Sequence, residues 1–330
     1  MKITFEKEKK TTSFRATYSQ TLDRLIKEDK DVVVLEADLM KSSGTDTLFK
    51  DHPNNCINFG ISEANMISAA GGMSKAGLIP FAHSFAPFVT RRPLDQIYMS
   101  IAYSNSNLFI YASDAGIWSQ RNGGTHTTNE DIAIMNAMPN CKVFNPSDPV
   151  QLTWLMNNYH ENKGFYYVRC GRKNEIQHIY KEDSIFEVGK GIVLQQGTSK
   201  VAIIAAGMMV SEALLAADLL REKMITPTIV DMFSIKPYDE SLIQQLISEN
   251  DLILVAENHS KIGGIGSIVA YEIAKSKHNV RFKHIAIPDA FGEVGSLEFL
   301  KSKFKLNASD IAESILEELS LVKNLKRRKK

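Results

Sequence analysis

The residues best placed to do chemistry begin in NFGISEANMISAAGGMSKAG, where a strand ends at a glycine turn and a small-residue helix opens with Glu63 in its first turn. A carboxylate there complements the partial positive charge of a helix N-terminus, and that role alone explains many first-turn acids. About twenty residues on, IPFAHSFAPFVTRRPLDQI carries Phe85 and Phe88 just after a strand, spaced to present two rings at one loop. Such a pair reads as core as readily as it reads as a ligand box. A third stretch, YASDAGIWSQRNGGTHTTNEDIAIMNAMPNCKVFNPSD, is a polar, glycine-rich loop between strand and helix. Ligand-binding groups gather at such loops in open parallel sheets.

The elements that must position these residues alternate in period. DVVVLEAD, CINFG, IPFAHSF, NLFIYAS, CKVFNP and FYYVRCG are short β-branched or aromatic runs. Between them lie FRATYSQTLDRLIKE, EANMISAAGGMSKAG, LDQIYMSIAYS and DPVQLTWLMNNYHE, with apolar residues at three and four spacing. Strands alternating with crossover helices predict a doubly wound α/β domain. The pattern loosens through NEIQHIYKEDSIFEVGKG, and a second alternation starts at KVAIIAAG. Two doubly wound α/β domains are therefore expected, over residues 1–185 and 186–330.

Totals narrow the function classes. The chain has 330 residues, 44% hydrophobic, and 39 basic against 38 acidic side chains. That balance gives no overall field to gather nucleic acid or a membrane surface, so small molecules or proteins are the expected partners. Cys56, Cys141 and Cys170 form neither a CxxC pair nor an even disulfide set, which fits a reducing cytoplasm. The opening MKITFEKEKK is charged from its second residue, and apolar runs such as 201–210 are too short to span a bilayer. The basic ending NLKRRKK reads as a solvated tail. IGGIGSIVA invites a dinucleotide site, but counting from Gly264 the third glycine position is Val269. There is no GxxxxGK[ST], no HExxH, and no histidine spacing that makes a metal set.

In order along the chain, VVVLEADLMKSSGT, the three segments above and YVRCGR resemble the pyrimidine-binding domain of the transketolase family. VDMFSIKP, LVAENHSKIGGIGS and DAFGEVG resemble its C-terminal domain, the whole likeness running from about residue 14 to 319. The resemblance implies thiamine diphosphate as cofactor, with Glu63 hydrogen-bonding a ring nitrogen of its aminopyrimidine and favouring the imino tautomer. The cofactor carries the carbanion chemistry and the protein orients it. Phe85 and Phe88 would surround the pyrimidine, and Asp38 in EADL would lie near the same site. Arg172 in VRCGR would grip the substrate's terminal phosphate with its planar, permanently charged fork; a surface ion pair is the alternative. His126 in GGTH would hydrogen-bond a sugar hydroxyl or shuttle a proton near neutral pH.

The family's diphosphate-binding half is marked by GDG, which occurs nowhere in this sequence. The resemblance thus implies an obligate N-terminal partner subunit holding the diphosphate and a divalent metal, magnesium or calcium. It implies a heterotetramer, with no metal ligand on this chain. Where the family usually reads SHAG or THDS, this chain has Ser113, Asp114, Ala115 and Gly116; where it reads GEDG, Gln120, Arg121, Asn122 and Gly123 stand. Carboxylates in that loop help hold donor-sugar hydroxyls, so their loss implies a specialised ketose phosphate, with Asp114, Arg121 and Asn122 on the substrate side. Arg121 stays open between an extra anionic group and a plain loop charge.

The expected activity is transfer of a two-carbon ketol unit between sugar phosphates, by the C-terminal subunit of a two-subunit transketolase. The beta subunit of a 2-oxo acid dehydrogenase shares the length, the domains and the glutamate; GISEANM, Arg172 and ENHSKIGGIGS count against it. Deoxyxylulose phosphate synthase normally carries all three domains on one chain. A catalytically degenerate partner subunit is disfavoured by the joint retention of Glu63, Phe85, Phe88 and Arg172.

Overall fold

The computed structural model describes residues 2, 4 and 10–328; side chains beyond Leu321, the basic tail included, lie outside the described part. Its strands are β1 (Thr11–Ser13), β2 (Val32–Glu36), β3 (Cys56–Asn58), β4 (Ile79–Phe85), β5 (Leu108–Ser113), β6 (Cys141–Phe144) and β7 (Phe165–Cys170). They continue with β8 (Glu175–Gln177), β9 (Ile192–Gln195), β10 (Val201–Ala205), β11 (Thr228–Asp231), β12 (Ser234–Lys236), β13 (Leu252–Ser260) and β14 (Arg281–Ile287). The first sheet has the order β12-β6-β7-β5-β4-β2-β3 and the second β14-β13-β10-β11-β9. All pairings in the first are parallel except β12 with β6, and all in the second except β9 with β11.

The six runs expected as strands in the first half are β2 to β7. Their side chains explain why the sheet is covered on both faces. Val33, Leu35, Ala82, Ile110 and Tyr167 belong to one buried cluster, while their neighbours Val32, Val34, Phe81, Phe109 and Tyr166 belong to another. A strand apolar at every position needs helices above and below it, which is what parallel crossovers supply. Helix Phe14–Glu28 has the expected bounds and is capped by Ser13, whose Oγ accepts from the Ala16 N–H at 3.3 Å.

Three features depart from the expected elements. LDQIYMSIAYS is a short helix, Leu94–Gln96, that widens into a π-helix over Ile97–Tyr103. The wide turn lies against Gly71, where an added Cβ would stand 2.5 Å from the Ser100 carbonyl oxygen. The two helices thus meet backbone to backbone, a contact that periodicity does not encode. Second, Ser234–Lys236 lies in the second half of the chain but pairs with β6, so the first sheet takes its edge strand from beyond the expected boundary at 185/186. Third, Thr11–Ser13 pairs antiparallel with Glu175–Gln177, tying the start of the chain to the linker. The C-terminal helices Leu297–Lys303 and Ala308–Arg328 complete the second layer. Among the described residues no helix is long and apolar enough to cross a membrane.

Candidate active site at the sheet edge

Helix Glu63–Lys75 starts after β3, Phe85 ends β4, Ser113 ends β5 and Arg172 follows β7, so all four segments meet at the C-terminal edge of one parallel sheet. Ligand sites of open α/β sheets form at that edge because the strand-to-helix turns open there. Glu63 is only 3% exposed. Its Oε1 accepts from Arg92 Nη1 at 2.8 Å and from Ser84 Oγ at 3.4 Å.

A continuous run of contacts leads away from this carboxylate. The Arg92 guanidinium lies over the Phe88 ring, 3.8 Å from its centroid. The Phe88 and His126 rings meet edge-on at 5.0 Å, and Phe85 lies 5.9 Å from Phe88 and 6.2 Å from His126. Arg172 lies over the other ring, its Cζ 4.7 Å from the Phe85 centroid, and its Nη2 reaches Asp114 Oδ2 at 2.8 Å. Six of the nine residues singled out in the sequence, Glu63, Phe85, Phe88, Asp114, His126 and Arg172, are thus joined.

The other three stand apart. Arg121 and Asn122 are exposed on the Gly116–Asn122 turn, without a hydrogen bond or ion pair among the described residues. Asp38 is exposed at the end of β2 with φ 61°, its N–H donating to Asn58 Oδ1 at 3.0 Å, and no hydrogen bond links it to the cluster. The inward acid of EADL is Glu36, fully buried; it accepts from Ser43 and Thr45 and pairs with His83 Nδ1 at 2.8 Å. His83 Nε2 lies 3.0 Å from Ser113 Oγ, beside Asp114. Glu36 is the last residue of β2 and stays in the sheet's interior, whereas Asp38 lies past the strand end, where its left-handed backbone turns it out to solvent.

Arg92 is a site residue that the motifs did not mark. It stands four residues after Phe88, and side chains four apart on a helical turn face the same way. That spacing was the available signal.

Electrostatics differ across the cluster. Burial pushes the Asp114 carboxyl above its ordinary range, against the pull of Arg172, His83 and Lys173. Two carboxyls outside the cluster are pushed higher by burial, Asp148 to about 7 and Asp231 to about 6. Both serve the fold: Asp148 accepts from the N–H groups of Gln151, Ile179 and Tyr180, and Asp231 from Ser147, Gln151 and Tyr180. A perturbed carboxyl marks a functional site only with suitable geometry.

The loop rests on the C-terminal half. Ile117 N–H donates to Asn258 Oδ1 at 2.9 Å, and Asn258 Nδ2 to the Ala115 carbonyl at 3.2 Å. Gly116, with φ 61°, leaves no room for a side chain: its Cβ would fall 2.2 Å from Asn258 Oδ1. Gln120 holds φ 48° and ψ −118°, a conformation suited to glycine, while its Nε2 donates to Asn174 Oδ1 at 2.7 Å. Such backbone strain costs of order 1–3 kcal/mol. Gln120→Gly is therefore expected to raise stability by about 1 kcal/mol, net of the lost hydrogen bond. Urea unfolding checks this; a fall in the midpoint would show that the hydrogen bond outweighs the strain.

Residues 10–176 match the family described as transketolase, pyrimidine binding domain, and residues 189–311 match transketolase, C-terminal domain. The chain belongs to the transketolase family. Its similarity to the 6-deoxy-6-sulfo-D-fructose transketolase subunit SqwH of Clostridium sp. strain MSTE9 is 37% identity over 303 residues, 92% of this chain and 93% of that one. One of the subunits of the apulose-4-phosphate transketolase of Phocaeicola vulgatus is 31% identical over 304 residues, 92% of this chain and 96% of its own. A solved structure of a split gene transketolase, an inactive beta4 tetramer, superposes with a TM-score of 0.84 at 35% identity, covering 94% of this chain and 99% of that one.

Transketolases depend on thiamine diphosphate, and this transketolase site suits its pyrimidine half. The flat, N–H-bearing guanidinium of Arg92 already lies on the Phe88 face with one N–H aimed at Glu63. A flat aminopyrimidine needs the same pair of contacts, a ring face and a carboxylate acceptor. Among the described residues no group of three or more His, Cys, Asp or Glu side chains is arranged to hold a metal.

Proposed function

We propose that this chain is the C-terminal subunit of a two-subunit transketolase, with a pyrimidine-binding domain over residues 1–185 and a C-terminal domain over 186–330. It would transfer a two-carbon ketol unit from a specialised ketose bearing an anionic terminus to an aldehyde acceptor. The observation that carries this reading is the unbroken run of contacts from Glu63 through the Phe88, His126 and Phe85 rings to Arg172. Relatives of matching length named as subunits of transketolases for a sulfo-fructose and for apulose phosphate support a specialised sugar.

In this reading Glu63 holds the aminopyrimidine through a hydrogen bond to a ring nitrogen, and Phe85 and Phe88 flank the ring and exclude water from it. When bound, thiamine diphosphate supplies the nucleophilic carbon and the electron sink for breaking and forming the carbon–carbon bond. His126, packed on both rings, is placed to exchange a proton with a sugar hydroxyl. Arg172 receives the anionic terminus. Asp114, Arg121 and Asn122 shape the substrate side, with Asp38 at the rim. The partner subunit would supply the diphosphate site and its magnesium or calcium, in a heterotetramer. Buried free cysteines 56, 141 and 170 suit a cytoplasmic setting.

Calorimetry tests this. Thiamine diphosphate with magnesium is expected to bind poorly to the chain alone and at least about tenfold more tightly once the partner is present. A complex that never binds the cofactor would remove the catalytic reading and leave the fold.

A further inference from the structure

Arg172 is held on two sides and open on a third. Its guanidinium lies on Phe85, its Nη2 is taken by Asp114, and its buried Nε has no hydrogen-bond partner. Buried donors are rarely left so, and the guanidinium is a fork built to grip two oxygens of one anion. Asp114 occupies one prong. Its side chain is almost fully buried and its backbone sits at φ 60°, in a loop pinned to Asn258. The carboxylate therefore stands inside the site in a fixed position.

We propose that Asp114 is a built-in competitor for the tetrahedral oxyanion that ends the substrate, so that the anion gains the full Arg172 fork only as Asp114 yields it. The proposal rests on the assignment of Arg172 to the substrate terminus, and it names the residue that sets the terms of binding there.

Charged and titratable groups face Asp114 from every side. Arg172 and Lys173 approach from the segment after β7, His83 from β4 and the Tyr111 phenol from its own strand. Burial favours the neutral acid, and Arg172 provides the largest opposing pull, ahead of His83 and Lys173. An anion that draws Arg172 away removes that pull, and Asp114 takes up a proton. The sign follows: a carboxyl already above its ordinary range is neutralised more readily as pH falls, so the anion binds more tightly at lower pH. Raising pH ionises Asp114, restores the ion pair and expels the anion.

Inorganic sulfate is the first probe, because its charge stays fixed over the range, so every proton taken up belongs to the protein. It would be titrated calorimetrically into the full chain, alone and assembled with its partner, from about pH 5 to about pH 8. Wild type is expected to lose about tenfold in sulfate affinity across that range. Asp114→Asn, which tolerates the same left-handed backbone, is expected to bind about tenfold more tightly at the upper end and to lose most of the pH slope. His126 remains in that variant, so any slope it causes survives and is subtracted. Arg172→Gln is expected to abolish binding.

If Asp114 merely orients Arg172, Asp114→Asn weakens sulfate binding at every pH, and the proposal falls. It falls equally if wild type binds sulfate without pH dependence, or if neither form binds it. Methyl phosphate and methanesulfonate, run in parallel, separate a phosphate terminus from a sulfonate one by which binds more tightly. None of these readouts needs cofactor or turnover, so failure of the transketolase reading would show in cofactor binding while the anion data stand.

Discussion

Glu63→Gln is expected to lower ketol transfer in the assembled enzyme by about 10²- to 10⁴-fold, the range for a lost proton-transfer group, while the fold stays intact. The substitution keeps the shape and retains an acceptor for Arg92, so the contact that Arg92 makes at 2.8 Å persists. It replaces the carboxylate that Arg92 holds beside the Phe88 ring with a neutral amide. Stability is expected to change by about 0.5 kcal/mol at most, because the half-exposed Arg92 is solvated whether or not its partner is charged. The decisive comparison is the cofactor dissociation constant against kcat. A falling kcat with cofactor still bound marks a group acting on the reaction, whereas an unchanged kcat would remove Glu63 from catalysis and with it the proposed chemistry.

Arg169→Met is expected to produce the largest loss of stability, about 3–5 kcal/mol, for a reason independent of function. Arg169 is 1% exposed, and its Nε and Nη2 bind both oxygens of the fully buried Asp131 at 2.6 and 3.0 Å. The same Nη2 donates to the Asn258 carbonyl at 3.0 Å, so one side chain ties β7, helix Asp131–Ala137 and the C-terminal half together. Removing the cation leaves Asp131 buried with the Tyr167 hydroxyl as its remaining described hydrogen-bond donor. An uncompensated charge in a low-dielectric interior is far costlier than the pair is valuable. Urea unfolding reads the loss, and Arg169→Met with Asp131→Leu should recover much of it. A single variant within about 1 kcal/mol of wild type would show that water reaches the site and that the pair is not buried in solution.

Much of the site was legible because its residues sit at positions that local patterns fix. Glu63 follows a glycine turn at the start of a helix, Phe85 closes a short strand run, and Arg172 follows another rich in aromatics; strand ends of a parallel sheet converge at one edge. Asp38 shows the limit of the same logic. The family resemblance pointed to EADL, but the strand ends at Glu36, which is buried, and the left-handed turn at Asp38 leaves that residue in solvent. Arg92 was hidden for a different reason. A cation after an aromatic pair is common, and only the turn of Ala86–Arg91 carries it over Phe88 and onto Glu63.

The sequence by itself determined two α/β units, the strands of the first and the family. These depend on patterns local in sequence, such as short continuous apolar runs, helix caps and turn glycines. The tertiary structure alone decided which residues share charge. Asp114 meets Arg172 across 58 positions, the Asn258 amide grips a loop more than a hundred residues away, and Ser234–Lys236 crosses over to edge the first sheet. Such pairs are chosen by how whole elements pack, because burial in a shared interior turns two distant polar groups into obligatory partners.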